Sequence, residues 1–240
     1  MTNNSILLEI SVESASGAAA AERGGANRIE LCANLNVGGV TPSAELMRET
    51  RRAVRAPIFA MIRPRGGDFV FSAEEFFEMR RDLKIAKSCG MDGAVFGILH
   101  ADRTVDLERT RELVEAAKPL PVTFHRAFDE TPDLHAALEA VISTGATRIL
   151  TSGGKPKADA GARVLAKLVK AAAGRITILP GGGINAGNLE AVVRATGTYE
   201  VHSGLGTSLP YGKSGAAEFE GAVRELADIL NGAQSETARE

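Results

Sequence analysis

Short apolar runs recur along this chain, each closing on polar or charged residues and each followed by a stretch with helical spacing. Ile6–Val12 predicts a first strand, and the Ala-rich Ser14–Arg23 predicts a helix closed by Gly24-Gly25, residues that tolerate a left-handed cap. Asn27–Cys32 predicts a second strand, followed by a glycine-containing loop over Asn34–Thr41 and a helix opened by Pro42-Ser43 that ends near Val54. Pro57–Arg63 is the third. Ser72-Ala-Glu-Glu75 has capping-box spacing and starts a helix that ends at Cys89-Gly90. The alternation continues with strand Gly93–Leu99 and helix Asp106–Lys118, then a strand opening Pro121–Asp129 and helix Asp133–Thr144. Strands Arg148–Ser152, Ile176–Leu179 and Tyr199–His202 follow, with helices over Ala160–Ala173, Asn188–Ala195 and Ala216–Leu230.

Eight units in 240 residues give 240/8 = 30 residues per unit. That is the size of one strand–helix repeat, and the total is near that of a (β/α)8 barrel. The expected fold is α/β, a single TIM barrel over residues 1–231 with a polar, frayed tail over 232–240; an open doubly wound sheet usually has fewer strands. No linker or shift in composition divides the chain.

In such a barrel the C-terminal strand ends carry the chemistry. Outward strand positions pack under apolar helices, so charged ones should point inward. Glu9, Glu30, Arg63, His125 and His202 are therefore expected to converge on one mouth, as catalytic candidates. Each alone reads equally well as a paired ion or a satisfied polar group inside the barrel. Five together are hard to explain as structure, because buried charges cost several kcal/mol unless paired. His125 is the expected proton carrier near neutral pH, with Glu30 or Glu9 as its partner or as a fellow metal ligand. Arg63 with Arg65 suits a carboxylate or phosphate gripped by parallel hydrogen bonds; alternatively Arg63 neutralises Glu9 or Glu30 and Arg65 is a solvated loop residue. Arg126 and Asp129 are expected to brace their loop, with Arg126 turned away from the mouth.

Pro180-Gly-Gly-Gly-Ile184 and Gly204-Leu-Gly206 stand where barrels often bind phosphate. Gly181, Gly182 and Gly183 thus join Arg65, Thr151 and Ser152 as substrate-binding candidates, although glycine serves tight turns equally. Two nucleotide motifs are near misses. Gly181-Gly-Gly183-Ile-Asn-Ala186 is followed by one strand only, and Gly206 to Gly212-Lys-Ser214 has five residues between glycines where a P-loop needs four. No strand carries a lysine, which disfavours a Schiff base and leaves Lys155 and Lys213 as weak loop exceptions. No G-x-S-x-G nucleophile elbow is present.

Composition narrows the partners. Hydrophobic residues are 44% and charged ones 24%, as in ordinary soluble domains. A net charge of −2 without long charged runs, and the lack of Trp, argue against nucleic acid or an anionic membrane. No apolar run reaches the roughly 18 to 20 residues that span a bilayer. Cys32 and Cys89 have no CxxC spacing and read as reduced thiols of a cytoplasmic protein. A homo-oligomer stays open.

A set of segments running almost the whole chain resembles the CutC family. They are Glu22–Cys32, Gly38-Gly39 with Thr41-Pro-Ser43, Met61–Phe69, Asp92-Gly93 with Phe96-Gly97, Pro121–Asp129, Leu150–Gly154, Pro180–Ile184, and Glu200 with His202. The resemblance implies a TIM barrel and a role in copper homeostasis, with Cu(I) bound through cysteines. Cu(I) prefers thiolate and thioether ligands, and Cys32 is the one thiol expected at the mouth, with Met61 or a His to assist. Ser11 stands where some family members resemble a second cysteine site, Cys89 is expected to pack at the bottom, and the stretch after His202 departs from the usual family ending. Two readings follow: a cytoplasmic Cu(I)-handling protein, or an enzyme of isomerase or lyase type acting on a small phosphate- or carboxylate-bearing metabolite.

Overall fold

A computed structural model of the chain describes residues 6–209 and 215–237, with side chains as far as Gly232 at the C-terminal end. Lys213, the end of the P-loop near match and the last residues of the expected tail lie outside the described residues.

Eight parallel strands form one sheet: β1 (Leu7–Val12), β2 (Arg28–Leu31), β3 (Ile58–Met61), β4 (Gly93–Phe96), β5 (Val122–Phe124), β6 (Arg148–Thr151), β7 (Thr177–Pro180) and β8 (Glu200–Ser203). Their order, β7-β6-β5-β4-β3-β2-β1-β8, wraps the sheet until its first and last members meet. The fold is a nearly closed (β/α)8 barrel. Backbone ladders join every neighbouring pair except β7 and β8 among the described residues. That seam is bridged by hydroxyls: Thr198 Oγ1 donates to the Ile178 carbonyl and Ser203 Oγ to that of Ile184, each at 2.9 Å.

The strands are short and buried on both faces, as parallel strands under helices must be. Helices α1 (Ala15–Gly24), α2 (Ala44–Ala53), α3 (Ala73–Ser88), α4 (Leu107–Ala117), α5 (Leu134–Thr144), α6 (Ala158–Ala172) and α7 (Leu189–Thr196) pack outside. A short α8 (Leu205–Ser208) precedes α9 (Ala216–Thr237). Their starts are local chemistry. Ser14, Ser43, Asp106 and Asp133 each accept a backbone N–H of the first turn, and Ser72 with Glu75 completes the expected capping box. The last helix continues to Thr237 rather than stopping near Leu230, with no proline in that stretch to end it.

Between strands and helices lies an ordinary apolar core, with Leu8, Ile10, Ile29 and Ile58 fully covered. Inside the barrel the filling is different. The Phe59 ring lies across Gly93, where any Cβ would come within 2.6 Å of the ring. The guanidinium groups of Arg28 and Arg148 stack on that ring at 4.9 and 5.2 Å. A charged layer thus floors the site above it.

Candidate active site

Above this floor, at the C-terminal strand ends, opens a cavity of about 770 Å³. Glu30 from β2, Arg63 after β3, His125 after β5 and His202 from β8 line it together with Gly182 and Gly183. Four of the five catalytic candidates therefore share one chamber. The fifth, Glu9, is fully buried outside the lining and reaches the chamber only through its contact with His202.

Strand register explains how. Glu9 is paired in register with Arg28 on one side and His202 on the other. The Arg28 Nε–H donates to Glu9 Oε2, and its other arm reaches Glu200 at 2.8 Å, which also holds Arg148 at 2.8 Å. Glu9 Oε1 lies 2.7 Å from His202 Nδ1, and His202 Nε2 lies 3.9 Å from Glu30 Oε2. A line of charge runs from Arg28 through Glu9 and His202 to Glu30. Burial alone would push the Glu9 carboxyl up, but Arg28 and His202 together bring it down to about 2. Burial opposes the charged form of His202 too, yet Glu30 and Glu9 outweigh it and raise its pKa above the usual 6.5. Burial raises Glu30, and Glu9 nearby adds to this against the pull of His202. The result is an imidazole whose charged form Glu9 and Glu30 favour, held beside a carboxyl whose proton burial favours.

His125 departs from expectation. It caps the short 3-10 turn Arg126–Glu130, and its Nδ1 accepts the Ala127 N–H at 3.2 Å. The proton of the neutral ring must then sit on Nε2. Burial, with the Arg63 charge nearby, lowers its pKa to about 3. It is therefore a neutral hydrogen-bond donor, not a proton carrier near neutral pH. Gly97 makes room for this ring, because a Cβ there would lie 2.6 Å from Nδ1.

Arg63 neutralises neither Glu9 nor Glu30. Its terminal nitrogens donate to the carbonyls of Val37, Gly39 and Gly67, and its guanidinium stacks on Phe69 at 4.7 Å. Phe69 in turn leans on the His125 ring at 4.8 Å. Arg63 Nε, His125 Nε2 and Glu30 Oε1 are all buried without a hydrogen-bond partner. Thr123 Oγ1, two residues before His125 on β5, is a further such atom, and Thr50 and Thr110 belong to helices α2 and α4.

Four other candidates move. Arg65 turns out of the site, clasped by Glu75 at 2.6 Å and Asp68 at 3.0 Å over the Phe71 ring, because acidic partners lie within reach on its own loop. Thr151 and Ser152 are spent on Asp129: Thr151 Oγ1 donates to it at 2.5 Å, and Ser152 adds its N–H and hydroxyl. Gly181 gives its N–H to the Thr151 carbonyl at 3.0 Å and packs against Leu150 and His202. Arg126 does brace Asp129 at 2.8 Å, but it is not turned away; it lines the cavity, its Cζ 3.2 Å from where a Cβ on Gly182 would sit. Gly182 and Gly183 keep their place, with φ of 98° and 70° that only glycine adopts freely.

Sequence reasoning missed Arg28 and Lys157. Arg28 shares the inward parity of Glu30 and Cys32, so strand alternation alone could have found it. Lys157, which lines the cavity with its stem across Gly183, belongs to a loop that offers no such signal.

Cys32 lies below the lining, buried, its thiol donating to Glu30 Oε2 at 3.6 Å. Burial and then the Glu30 charge push its pKa well above the usual range, so the thiol holds its proton. Cys89 caps α3 at its C-terminal end, buried, donating to the Ala44 carbonyl at 3.7 Å. No second thiol approaches Cys32 among the described residues, so a two-thiolate Cu(I) site is not formed there. Glu9, Glu30 and His202 offer ligand atoms within 4.8 Å of one another. The two carboxylates are hard donors and the imidazole is borderline, and both Glu9 oxygens and His202 Nδ1 are already engaged.

No helix among the described residues is long and apolar enough to cross a membrane. The CutC family model matches residues 6–207. A human protein named copper homeostasis protein cutC homolog is 46% identical over 83% of this chain and 73% of its own length. A family protein CutC of Chromobacterium violaceum is 42% identical over 92% of this chain and 91% of its own. A solved CutC structure from Streptococcus agalactiae superposes with a TM-score of 0.79 at 33% identity, covering 82% of this chain and 98% of that one. With the barrel, the motifs and these relatives in agreement, this chain belongs to the CutC family, the family named for copper homeostasis.

Proposed function

We propose that the protein is an enzyme of isomerase or lyase type, working by acid–base chemistry on a small anionic metabolite in the barrel mouth. One observation carries this reading: three buried polar atoms from three different strand ends, on Glu30, Arg63 and His125, have no protein partner and belong to residues that line one cavity. Each unpartnered atom costs on the order of 1–3 kcal/mol, which a ligand reaching between them would offset. Two are donors and one is an acceptor, a set that suits an oxygen-rich, negatively charged compound. The ion pair of Glu9 with His202, backed by Arg28, orients the imidazole beside Glu30 as the acid–base element. The buried free thiols suit a reducing cytoplasm as its place of action.

Copper handling is the second reading. Beyond the family name, one feature favours it: Cys32 Sγ and Met61 Cε both approach Gly39, 3.0 and 3.6 Å from where a Cβ would sit, giving one thiol and one thioether close together. Thermal-shift titration separates the readings. Small phosphorylated or carboxylated compounds should raise the Tm of wild type and not of Arg63→Gln, while Cu(I) stoichiometry against a competing chelator should be equal in wild type and Cys32→Ser. Equal stabilisation of Arg63→Gln by the anions would refute the enzyme reading. A Cu(I) equivalent lost in Cys32→Ser would favour the copper one.

A further inference from the structure

The proposed acid–base site can be resolved further into a reaction and a substrate class, an inference that rests on that reading. Glu30, His202, His125 and Arg63 line the cavity together. The loop after β7 lines it too: the N–H groups of Gly182, Gly183 and Ile184 have no acceptor among the described residues, and Lys157 and Arg126 stand beside them. Successive N–H groups on left-handed glycines form a concave donor array that fits a tetrahedral oxyanion. Three donors in a row with two cations suit the three oxygens of a phosphate dianion better than the two of a carboxylate.

The four strand-end side chains divide the labour. His125, which carries its proton on Nε2, and Arg63, through Nε–H, are donors that stay protonated throughout a reaction. They can polarise an oxygen but not shuttle its proton. Glu30 and His202 are the groups that can exchange protons, and they lie 3.9 Å apart. Donors for an oxygen beside an acid–base pair are what enolisation requires.

We infer that this site shifts a proton between neighbouring carbons of a phosphorylated α-hydroxycarbonyl compound, with Glu30 as the base and His125 and Arg63 holding the carbonyl oxygen. Glu30 takes the proton from the carbon next to the carbonyl. The C–H electron pair becomes the carbon–carbon double bond, and the carbonyl π pair moves to oxygen, where the two donors stabilise it. The His202 imidazolium supplies a proton to that oxygen and recovers one from the neighbouring hydroxyl. Glu30 then returns its proton to the other carbon. Substrate and product are isomers, and no oxidant or reductant is consumed.

The test is hydrogen exchange on carbon. Wild-type protein in D2O is incubated with aldose and ketose phosphates from triose to hexose and with their unphosphorylated counterparts, and deuterium on carbon is read by NMR and mass spectrometry. Binding of inorganic phosphate is followed in parallel by amide shifts of Gly182 and Gly183. Deuterium should enter beside the carbonyl of a phosphorylated compound, and Glu30→Gln should lower that rate by about 100-fold or more, the usual worth of a positioned base. Phosphate should still shift the glycine amides in that variant. Lys157→Met should raise KM by about tenfold with kcat little changed, as loss of a charge contact to a ligand end predicts. Should Glu30→Gln not fold, His125→Phe, which removes a donor and no base, should slow exchange by about 100-fold, the range for one lost oxyanion donor. Phosphate binding without deuterium in any compound would overturn the proton shift and leave the anion site standing. Absence of both would overturn the reading beneath it as well. Full exchange in Glu30→Gln would overturn the assignment of the base.

Discussion

Arg28→Met tests whether the charged floor holds the site together. The guanidinium is 2% exposed and spans Glu9, 0% exposed, and Glu200, 15% exposed on its side chain. Removing it leaves Glu200 with Arg148 but strips Glu9 of its main counter-charge. Breaking one partner out of a buried pair costs about 3–5 kcal/mol, because the remaining charge is stranded. Against a typical total of roughly 5–15 kcal/mol this is about a fifth or more of the stability. For a chain of this size it corresponds to a fall in Tm of about 6–20 °C. Urea unfolding followed by circular dichroism near neutral pH measures it directly. The Arg28→Met/Glu9→Gln double variant should recover part of the loss, since the stranded carboxylate is gone, giving a coupling energy of about 1–3 kcal/mol in a double-mutant cycle. If Arg28→Met fell within about 1 kcal/mol of wild type, or if the two changes were additive within about 0.5 kcal/mol, the line from Arg28 to Glu30 would not be an energetic unit.

Three more outcomes follow from the same geometry. Gly97→Ala puts a Cβ 2.6 Å from His125 Nδ1 and should displace the ring, costing about 1–3 kcal/mol by overpacking and moving the His125 side-chain NMR resonances; an unchanged ring would contradict the cradle. His125 has a folded pKa of about 3 and an ordinary unfolded one, so the unfolded chain binds more protons between them and stability should rise with pH from about 3 to about 6.5. His202 acts the other way, its raised pKa favouring the fold below about 6.5 and losing that contribution as pH climbs through the raised value. In urea midpoints taken across the acid range, His125→Asn should flatten the slope, and an identical slope would show that the ring is not held neutral. Cys32 should react with iodoacetamide only as fast as the protein opens, and modification at the rate of a free thiol would contradict its buried, protonated state.

Most of the fold was legible because its period was. Eight apolar runs, each ending in polar residues, carry the alternation that a barrel requires, and strand parity placed Glu30, Arg63, His125 and His202 at one mouth. Partners were the part that parity could not supply. Arg28 and Glu9 are 19 residues apart in sequence and meet only through the register of β1 against β2. Thr151 and Ser152 looked free until Asp129, 22 and 23 residues earlier, came round the turn after β5 to accept from them. The role of His125 depended on one backbone N–H, that of Ala127, which fixes the tautomer and cannot be read from residue types. Arg65 illustrates the converse, an arginine whose nearest acids were visible in sequence at Asp68 and Glu75 and were enough to hold it.

The joint between β7 and β8 has a mechanical meaning. Among the described residues, seven junctions of the barrel are laced by backbone hydrogen bonds, while this one is pinned by single hydroxyls at Thr198 and Ser203. Separating two strands there breaks few bonds, so the barrel has a preferred place to yield, with the rest staying intact. The glycine loop Gly181–Gly183 sits at the upper end of that joint. Breathing of the joint would therefore widen the chamber beside the glycine loop and leave the Arg28–Glu9–His202 line, held by the β1–β2 and β1–β8 ladders, in place. The give of the barrel thus lies beside the glycine loop, while β8 stays laced to β1 on its other edge, and amides flanking the joint should exchange with solvent well before those of β1 and β2.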